Sequence, residues 1–297
     1  MNLGYPCSNI TIDSYASRSF SLASYSADLL LETVGLNLNA LMVILEWNLA
    51  HDIRYFRLPT TLIPFGSHPV MDADWKHHFA DQLATIGAFI VGNNMRITVH
   101  PGQYILLNSP SPDVRVQNIA DLNHQCDLFD LLGLDNTNKI QIHTGGVIDG
   151  KPEATRRFIR WYPTLPARIR ERLAIENDER HYSLQDNLII HEACGVPLVF
   201  DTFHHTILNN GESLPDAFDF FMPTWNGHGT PMMDYSSQHP DRQSGAHTMS
   251  IEMEDFARVI GALGHRAVVI MLEIKNKEIS VIEARKWLAS VHPAGTV

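Results

Sequence analysis

The sequence predicts a (β/α)₈ TIM barrel, a single catalytic domain over residues 1–297. Three observations carry this. Strand-like and helix-like segments alternate through the whole chain, eight of each kind of unit. No glycine-rich phosphate loop follows the first strand, which disfavours the runner-up, an open doubly wound sheet. An acidic or imidazole side chain ends six of the eight strands, where a barrel gathers its active-site groups.

In chain order, Leu3-Gly4-Tyr5-Pro6 is a short first strand. Leu29, Leu30, Val34, Leu38, Leu41, Ile44 and Leu45 recur at helical spacing, so Ser26 to Asn48 reads as a helix. Tyr55 to Leu58 is the second strand. A helix over Asp72 to Val91 follows, with Trp75, Phe79, Leu83 and Ile86 in register. Met95 to Val99 is the third strand, and Pro112 to Leu132 the next helix. Lys139 to Ile142 is the fourth strand, followed by a helix near Pro152 to Arg160 and a short one ending near Arg170. Leu173 to Ile175 is the fifth strand. Ser183 to Cys194 is a helix whose Ser183 can serve as N-cap. Pro197 to Phe200 is the sixth strand, and Leu214 to Phe221 is helical. Pro231 to Met233 leads a seventh strand, followed by a helix over Glu252 to Leu263. Ala267 to Leu272 is the eighth strand, and Ile279 to Ser290 closes the pattern.

Composition narrows the class. With 297 residues, 44% hydrophobic and 19% charged, the chain suits an ordinary globule. No continuous run approaches the ~18 apolar residues of a membrane span. The first residues carry no charged region and no apolar core, so a secretory signal is not expected. Three unpatterned cysteines fit a reducing, intracellular compartment, the cytoplasm being the expected one. The net charge of −11 disfavours a generic nucleic-acid binder. Carboxylates that hold cations would invert that sign locally.

The strand ends are the informative positions. His100, His143, Glu176, Asp201, Asp234 and Glu273 each end a predicted strand, so a barrel brings them to one mouth. His204 lies one short turn past Asp201, and His247 lies in the loop after the seventh strand. Taken singly, a histidine ending a strand is usually a hydrogen-bonded structural residue, and Asp201 could simply cap the helix after it. Six such residues at equivalent positions are not independent accidents. Eight ligand-type groups exceed the needs of one ion, so two or three divalent ions are implied, with a carboxylate bridging. Mn²⁺ is the first choice, with Zn²⁺ or Mg²⁺ as alternatives. Clustered ions of this kind perform in-line displacement at phosphorus. Barrel-mouth metals also serve sugar isomerases and epimerases, so the cluster alone does not choose. His205 is a poorer ligand than His204. The remaining histidines, including His124 and His292, have no partner pattern and read as surface or structural.

At this point the chain resembles the UV damage endonuclease family, a relative of endonuclease IV. The motifs that carry the resemblance include Leu3-Gly4-Tyr5-Pro6-Cys7-Ser8-Asn9, Ile63-Pro64-Phe65-Gly66-Ser67-His68-Pro69 and His100-Pro101-Gly102-Gln103-Tyr104. Others are Ile175-Glu176-Asn177-Asp178-Glu179-Arg180, Val199-Phe200-Asp201-Thr202-Phe203-His204-His205 and Gly245-Ala246-His247. The resemblance implies a repair enzyme on damaged double-stranded DNA, acting as a monomer and without a membrane. It would cut immediately 5′ of pyrimidine dimers and 6-4 photoproducts, with abasic sites as a further candidate, and leave 3′-hydroxyl and 5′-phosphate ends. It also implies a three-metal site. Glu176 would bridge, His100 and His143 would hold one ion, Asp201, Asp234 and Glu273 another, and His204 and His247 the third. Glu176, Glu273 and Lys275 would be catalytic, Lys275 as a phosphate contact. Gln103 and Tyr104 would probe the duplex, and Tyr5, Asn9 and His68 would line the same cleft. Two departures stand out: Asp234 replaces a histidine ligand, and Met232 replaces a lysine near the metals.

An acidic DNA enzyme needs a local basic rim. Arg57, Arg180, Arg242, Lys275 and Lys277 are the expected contributors. A non-enzymatic alternative, a lesion-binding protein with structural metals, shares every feature above except turnover.

Overall fold

The structure, a computed structural model, describes residues 2–291. β1 (Asn2–Pro6) leads into a small antiparallel hairpin of β2 (Ser8–Asn9) and β3 (Ser14–Tyr15). Then come α1 (Ala27–Ala50), β4 (Tyr55–Leu58), α2 (Trp75–His78), α3 (Ala80–Gly92), β5 (Arg96–Val99) and α4 (Pro112–Leu131). The middle of the chain holds β6 (Ile140–His143), α5 (Lys151–Trp161), α6 (Ala167–Arg172), β7 (Leu173–Glu176), α7 (Leu184–Cys194) and β8 (Leu198–Asp201). The last part holds α8 (Thr202–Ile207), α9 (Leu214–Phe221), β9 (Met232–Tyr235), α10 (Met253–Leu263), β10 (Val269–Leu272) and α11 (Glu278–Val291). β1 and β4 to β10 pair in sequence order, all parallel, and β10 returns to β1. This is the expected (β/α)₈ barrel. Closure leaves the barrel itself without a free strand edge.

Local chemistry explains most boundaries. Ser26 caps α1 by accepting from the Leu29 amide at 3.2 Å. Ser183 caps α7 in a reciprocal box with Asp186, as its position predicts. The helix expected over Asp72 to Val91 is instead two helices, with Phe79 at the junction (φ −107°). Asp74 caps α2 by accepting from the His77 amide, and Phe79 turns its ring into the core. The β2–β3 hairpin also shows what periodicity missed: its strands are two residues each, too short to carry a pattern. α1 is long and apolar enough, by length and composition, to cross a membrane. Its Leu30, Val34, Leu38, Leu41 and Leu45 face is buried in the core, and Asn37 on the same face donates to the carbonyls of Arg18 and Leu62. His292 lies outside the described residues.

Strand alternation decides what enters the barrel. Tyr55 and Arg57 on β4, Gln141 and His143 on β6, and Met232 and Asp234 on β9 are spaced two apart and share the inner face. The β1–β4 register pairs Gly4 with Tyr55 and Pro6 with Arg57. Tyr5 pairs with Phe56 and therefore points outward, where its ring meets Phe56 edge-on at 5.2 Å. Gly4 is required: a Cβ there would run into the Tyr55 backbone carbonyl. Gly4→Ala is expected to cost roughly 1–3 kcal/mol, occasionally more, because backbone cannot give way as a side-chain tip can. A thermal melt of the variant with an unchanged midpoint would contradict this packing.

Candidate metal centre at the barrel mouth

Backbone pairing brings the strand-end residues together. His143 is in register with Glu176, and Asp201 with Asp234. The outcome is three overlapping ligand groups: His100, His143 and Glu176; Glu176, Asp201 and His204; Asp201, Asp234 and Glu273. Glu176 and Asp201 each belong to two groups, so both are placed to bridge. Seven of the eight sequence-predicted ligands are therefore brought together. The eighth, His247, stands apart from these groups. Its ring centre is 6.2 Å from that of His204, and its Nδ1 is 2.7 Å from the Glu273 carbonyl oxygen.

Second partners fix each ligand. His100 Nδ1 lies 2.9 Å from the Gln141 carbonyl, which turns Nε2 towards Glu176 at 3.1 Å. Asp201 Oδ1 accepts from the His204 amide at 2.7 Å, so it does cap α8. Its Oδ2 is left for the cluster, and capping and ligation are compatible. Asn177 clamps the Asp201 backbone from both sides, accepting from its amide and donating to its carbonyl at 2.9 Å each. His204 and His205 are separated plainly. His204 Nδ1 is 3.2 Å from Glu176 Oε1, whereas His205 points to Glu212 and packs on Phe200. Glu179, which the sequence did not single out as a ligand, brings a carboxylate oxygen to 3.7 Å from His204 Nε2. Its place in Glu176-Asn177-Asp178-Glu179 was the available signal.

The donor set fits divalent ions. Glu176 Oε1, Asp201 Oδ2 and His143 Nδ1 are buried without a hydrogen-bond partner. Each such atom costs ~1–3 kcal/mol if left bare, and an ion satisfies carboxylate and imidazole lone pairs together. Burial shapes the protonation of the metal-free cluster. It pushes the Asp201 and Asp234 carboxyls up to about 7, with neighbouring carboxylates adding to the shift. Burial also opposes charge on Glu273, but Arg57 overrides it and holds that carboxyl down at about 2. Burial works against a charged His204, yet Asp201 and Glu176 carry it up to about 11. Glu176 stays well below the usual carboxylate range despite burial, through His143, His100 and His204.

Arg57 corrects an expectation. It is not part of a basic rim: it is 3% exposed and points into the barrel. Its Nη2 donates to both oxygens of Asp234 at 2.8 and 2.9 Å and to Gln141 Oε1 at 2.9 Å, and its Nη1 pairs with Glu273. Strand alternation from Tyr55 forces this orientation. Arg180, Arg242 and Lys275 are exposed, and Lys277 is half-buried.

Tyr5 and Asn9 are also corrected, since both are fully buried and cannot line an open cleft. The Tyr5 hydroxyl donates to Asn48 Oδ1 at 2.6 Å and accepts from Asn9 Nδ2 at 2.8 Å, beneath α1. The other three are on the surface. Gln103 and Tyr104 are exposed, Tyr104 by 60%, and Tyr104 and His68 share the wall of a cleft of about 470 Å³ with Phe65 and Asp121.

Protons and cations compete for this cluster. A carboxyl raised from 3.8 to about 7 keeps, in the folded protein, a proton the unfolded chain has lost. Asp201 and Asp234 therefore disfavour the metal-free fold by a penalty that builds as pH rises from about 4 to 7. A bound ion removes it. The rise in Tm on adding Mn²⁺ is expected to be larger at pH 8 than at pH 6, with affinity changing about tenfold per pH unit for each proton displaced. Equal increments at the two pH values in a melting assay would contradict this.

Comparison with known proteins gives a consistent result. A family described as "UV-endonuclease UvdE" matches residues 1–295. A UV DNA damage endonuclease of Clostridium perfringens is 36% identical over 295 residues, covering 98% of this chain and 72% of its own. One from Bacillus cereus is 30% identical over 268 residues, covering 89% and 84%. The crystal structure of SacUVDE superposes with a TM-score of 0.94 at 42% identity, covering 98% of this chain and 99% of that one. A D-psicose 3-epimerase from Clostridium cellulolyticum, at 14% identity and a TM-score of 0.54 over 92% of this chain and 85% of its own, shares the fold alone.

Proposed function

The chain belongs to the UV-endonuclease UvdE family and is an endonuclease of UV-damaged DNA, and from that premise we propose that it cuts double-stranded DNA immediately 5′ of the lesion in a reaction dependent on divalent metal. The products are a 3′-hydroxyl and a 5′-phosphate. Pyrimidine dimers and 6-4 photoproducts are the substrates, with abasic sites as a further one. The chain acts as a monomer, as one catalytic domain, and where the cell keeps its DNA. The observation that carries this reading is the overlap of three ligand groups on Glu176 and Asp201, beside an exposed aromatic loop.

His100, His143 and Glu176 would hold one divalent ion, and Asp201 and His204 would share Glu176 with a second; Mn²⁺ suits this mixed nitrogen and oxygen set. Ions held there supply an activated water and neutralise charge on the phosphate and the leaving oxygen. The protein's own residues do the rest. Gln141 donates to Glu176 at 2.8 Å and to Asp234 at 2.5 Å, locking both carboxylates into the site. Glu273, kept ionised by Arg57, adds negative charge beside them. Lys275, exposed two residues beyond Glu273, is placed to meet a backbone phosphate. Tyr104 offers a ring face to an unstacked base, and Gln103 beside it offers hydrogen bonds. A damaged pair is already weakly stacked, so opening it costs less than opening an intact one.

A nicking assay on a duplex with one pyrimidine dimer tests the proposal. Mn²⁺ should support incision and chelation should abolish it. Glu176→Gln should lower incision on the order of 10³-fold while leaving damaged-DNA binding largely intact. Tyr104→Ala should instead weaken binding, by ~1–3 kcal/mol for each base it stacks on. Undiminished incision by Glu176→Gln, or incision in excess chelator, would refute the mechanism. Binding without any incision would favour the lesion-binding alternative.

A further inference from the structure

The Asp201–Asp234–Glu273 corner of the cluster is partly spent before any ion arrives. Both oxygens of Asp234 accept from Arg57, and its Oδ2 also accepts from Gln141 at 2.5 Å. Glu273 Oε1 is paired with Arg57, and Asp201 Oδ1 is committed to the His204 amide. Of the six carboxylate oxygens in this corner, that leaves only Asp201 Oδ2 and Glu273 Oε2 uncommitted to these partners. Two oxygens are a thin set for an ion that prefers about six oxygen donors. The other two groups keep imidazole nitrogens and the unpartnered Glu176 Oε1.

Charge leads to the same conclusion. Glu176, Asp201, Asp234 and Glu273 bring four negative charges when ionised, and the buried guanidinium cancels one. Two divalent ions then leave these four carboxylates and Arg57 with a surplus of one positive charge, which Glu179 beside His204 or a phosphodiester can match. A third ion would leave a surplus of three in a buried pocket, a costly excess in low dielectric.

We infer that Arg57 is the built-in counter-cation of the Asp201–Asp234–Glu273 corner and takes the place of a third resident metal ion. The chain then carries two resident divalent ions, at His100–His143–Glu176 and at Glu176–Asp201–His204. Arg57 is a positioning residue, since it acts through Asp234 and Glu273 and not on the DNA. This rests on the metal-dependent reading above.

The test counts ions and reads stability, with no turnover involved. Wild type, Arg57→Gln and Arg57→Lys are stripped of metal, reloaded with Mn²⁺, desalted and measured by elemental analysis, with melts before and after loading. Wild type and Arg57→Lys should retain two ions per chain, and Arg57→Gln should retain three. Metal-free Arg57→Gln should melt lower than metal-free wild type by about 10 °C, the scale of an uncompensated buried charge pair. Mn²⁺ should restore most of that difference. Three ions in wild type, no gain of an ion in Arg57→Gln, or failure of Arg57→Gln to fold even in Mn²⁺ would each overturn the inference. Retention of no Mn²⁺ by wild type would overturn the metal reading as well, so the two failures are distinguishable.

Discussion

The constraint behind this molecule is the confinement of four carboxylates in one closed ring of strands. Glu176, Asp201, Asp234 and Glu273 are within reach of shared ligand positions; the first three are almost wholly removed from solvent and the Glu273 side chain is 18% exposed. Isolated, each would be neutral rather than charged at such depth. Barrel closure leaves them no escape, because the register of β6 to β10 fixes each strand end relative to the next. The surrounding residues can be understood as responses. Arg57 rises from below, Gln141 bridges two of the acids, and His100, His143 and His204 ring the bridging glutamate. A structure so arranged is poised for cations, since Glu176 Oε1 and Asp201 Oδ2 are buried without a hydrogen-bond partner in the shared ligand groups.

Much of this was legible in the sequence, for a physical reason. A parallel barrel places the last residue of every strand at one face, so a repeated acid or imidazole at that position identifies a site without any coordinates. Six of the ligands follow from that rule alone, and His204 follows from lying one short turn past Asp201. His247 does not, since it is carried by a loop whose path has no periodicity, and it comes to rest at the rim of the cluster rather than within it. The misplaced residues have separate sources: the basic rim expected of a DNA enzyme includes Arg57, and the resemblance puts Tyr5 and Asn9 in the cleft. Alternation along β4 decides that Arg57 shares the inner face with Tyr55, and the same alternation turns Tyr5 outward beneath α1. The period-two rule was available for both and would have corrected both. Nothing in the sequence could have shown that Arg57 meets Asp234 and Glu273, residues on the far side of the chain.

The acidic balance of −11 is less awkward than it first appears when charges are located. Part of the excess is the carboxylate cluster, which Arg57 offsets from within and the proposed divalent ions would neutralise further. Several other acids are spent in ion pairs at the outer helices, as Asp127 and Asp130 are with Arg168. The surface proposed to meet DNA is therefore not described by the net charge. It carries Gln103, Tyr104, His68 and Lys275, and is aromatic, polar and mildly basic. A long basic groove would bind any duplex. A small aromatic contact near strong local positive charge depends instead on how readily the duplex opens, which is what distinguishes damaged from intact DNA.

The same barrel supports sugar epimerases, so the fold by itself decides nothing about chemistry. The difference lies in what surrounds the cluster. A sugar enzyme must close over a small, flexible, uncharged substrate and read its hydroxyls. Here the aromatic side chain nearest the mouth loop is open to solvent, and Gly102 beside it leaves room that a Cβ would take from the Tyr104 ring. The exposed ring of Tyr104 offers a face that an unstacked base would cover in the proposed reaction. The cluster is hydrogen-bonded within the barrel and the Tyr104 loop is exposed, a division that fits the proposed chemistry at the strand ends and the proposed recognition at the loop.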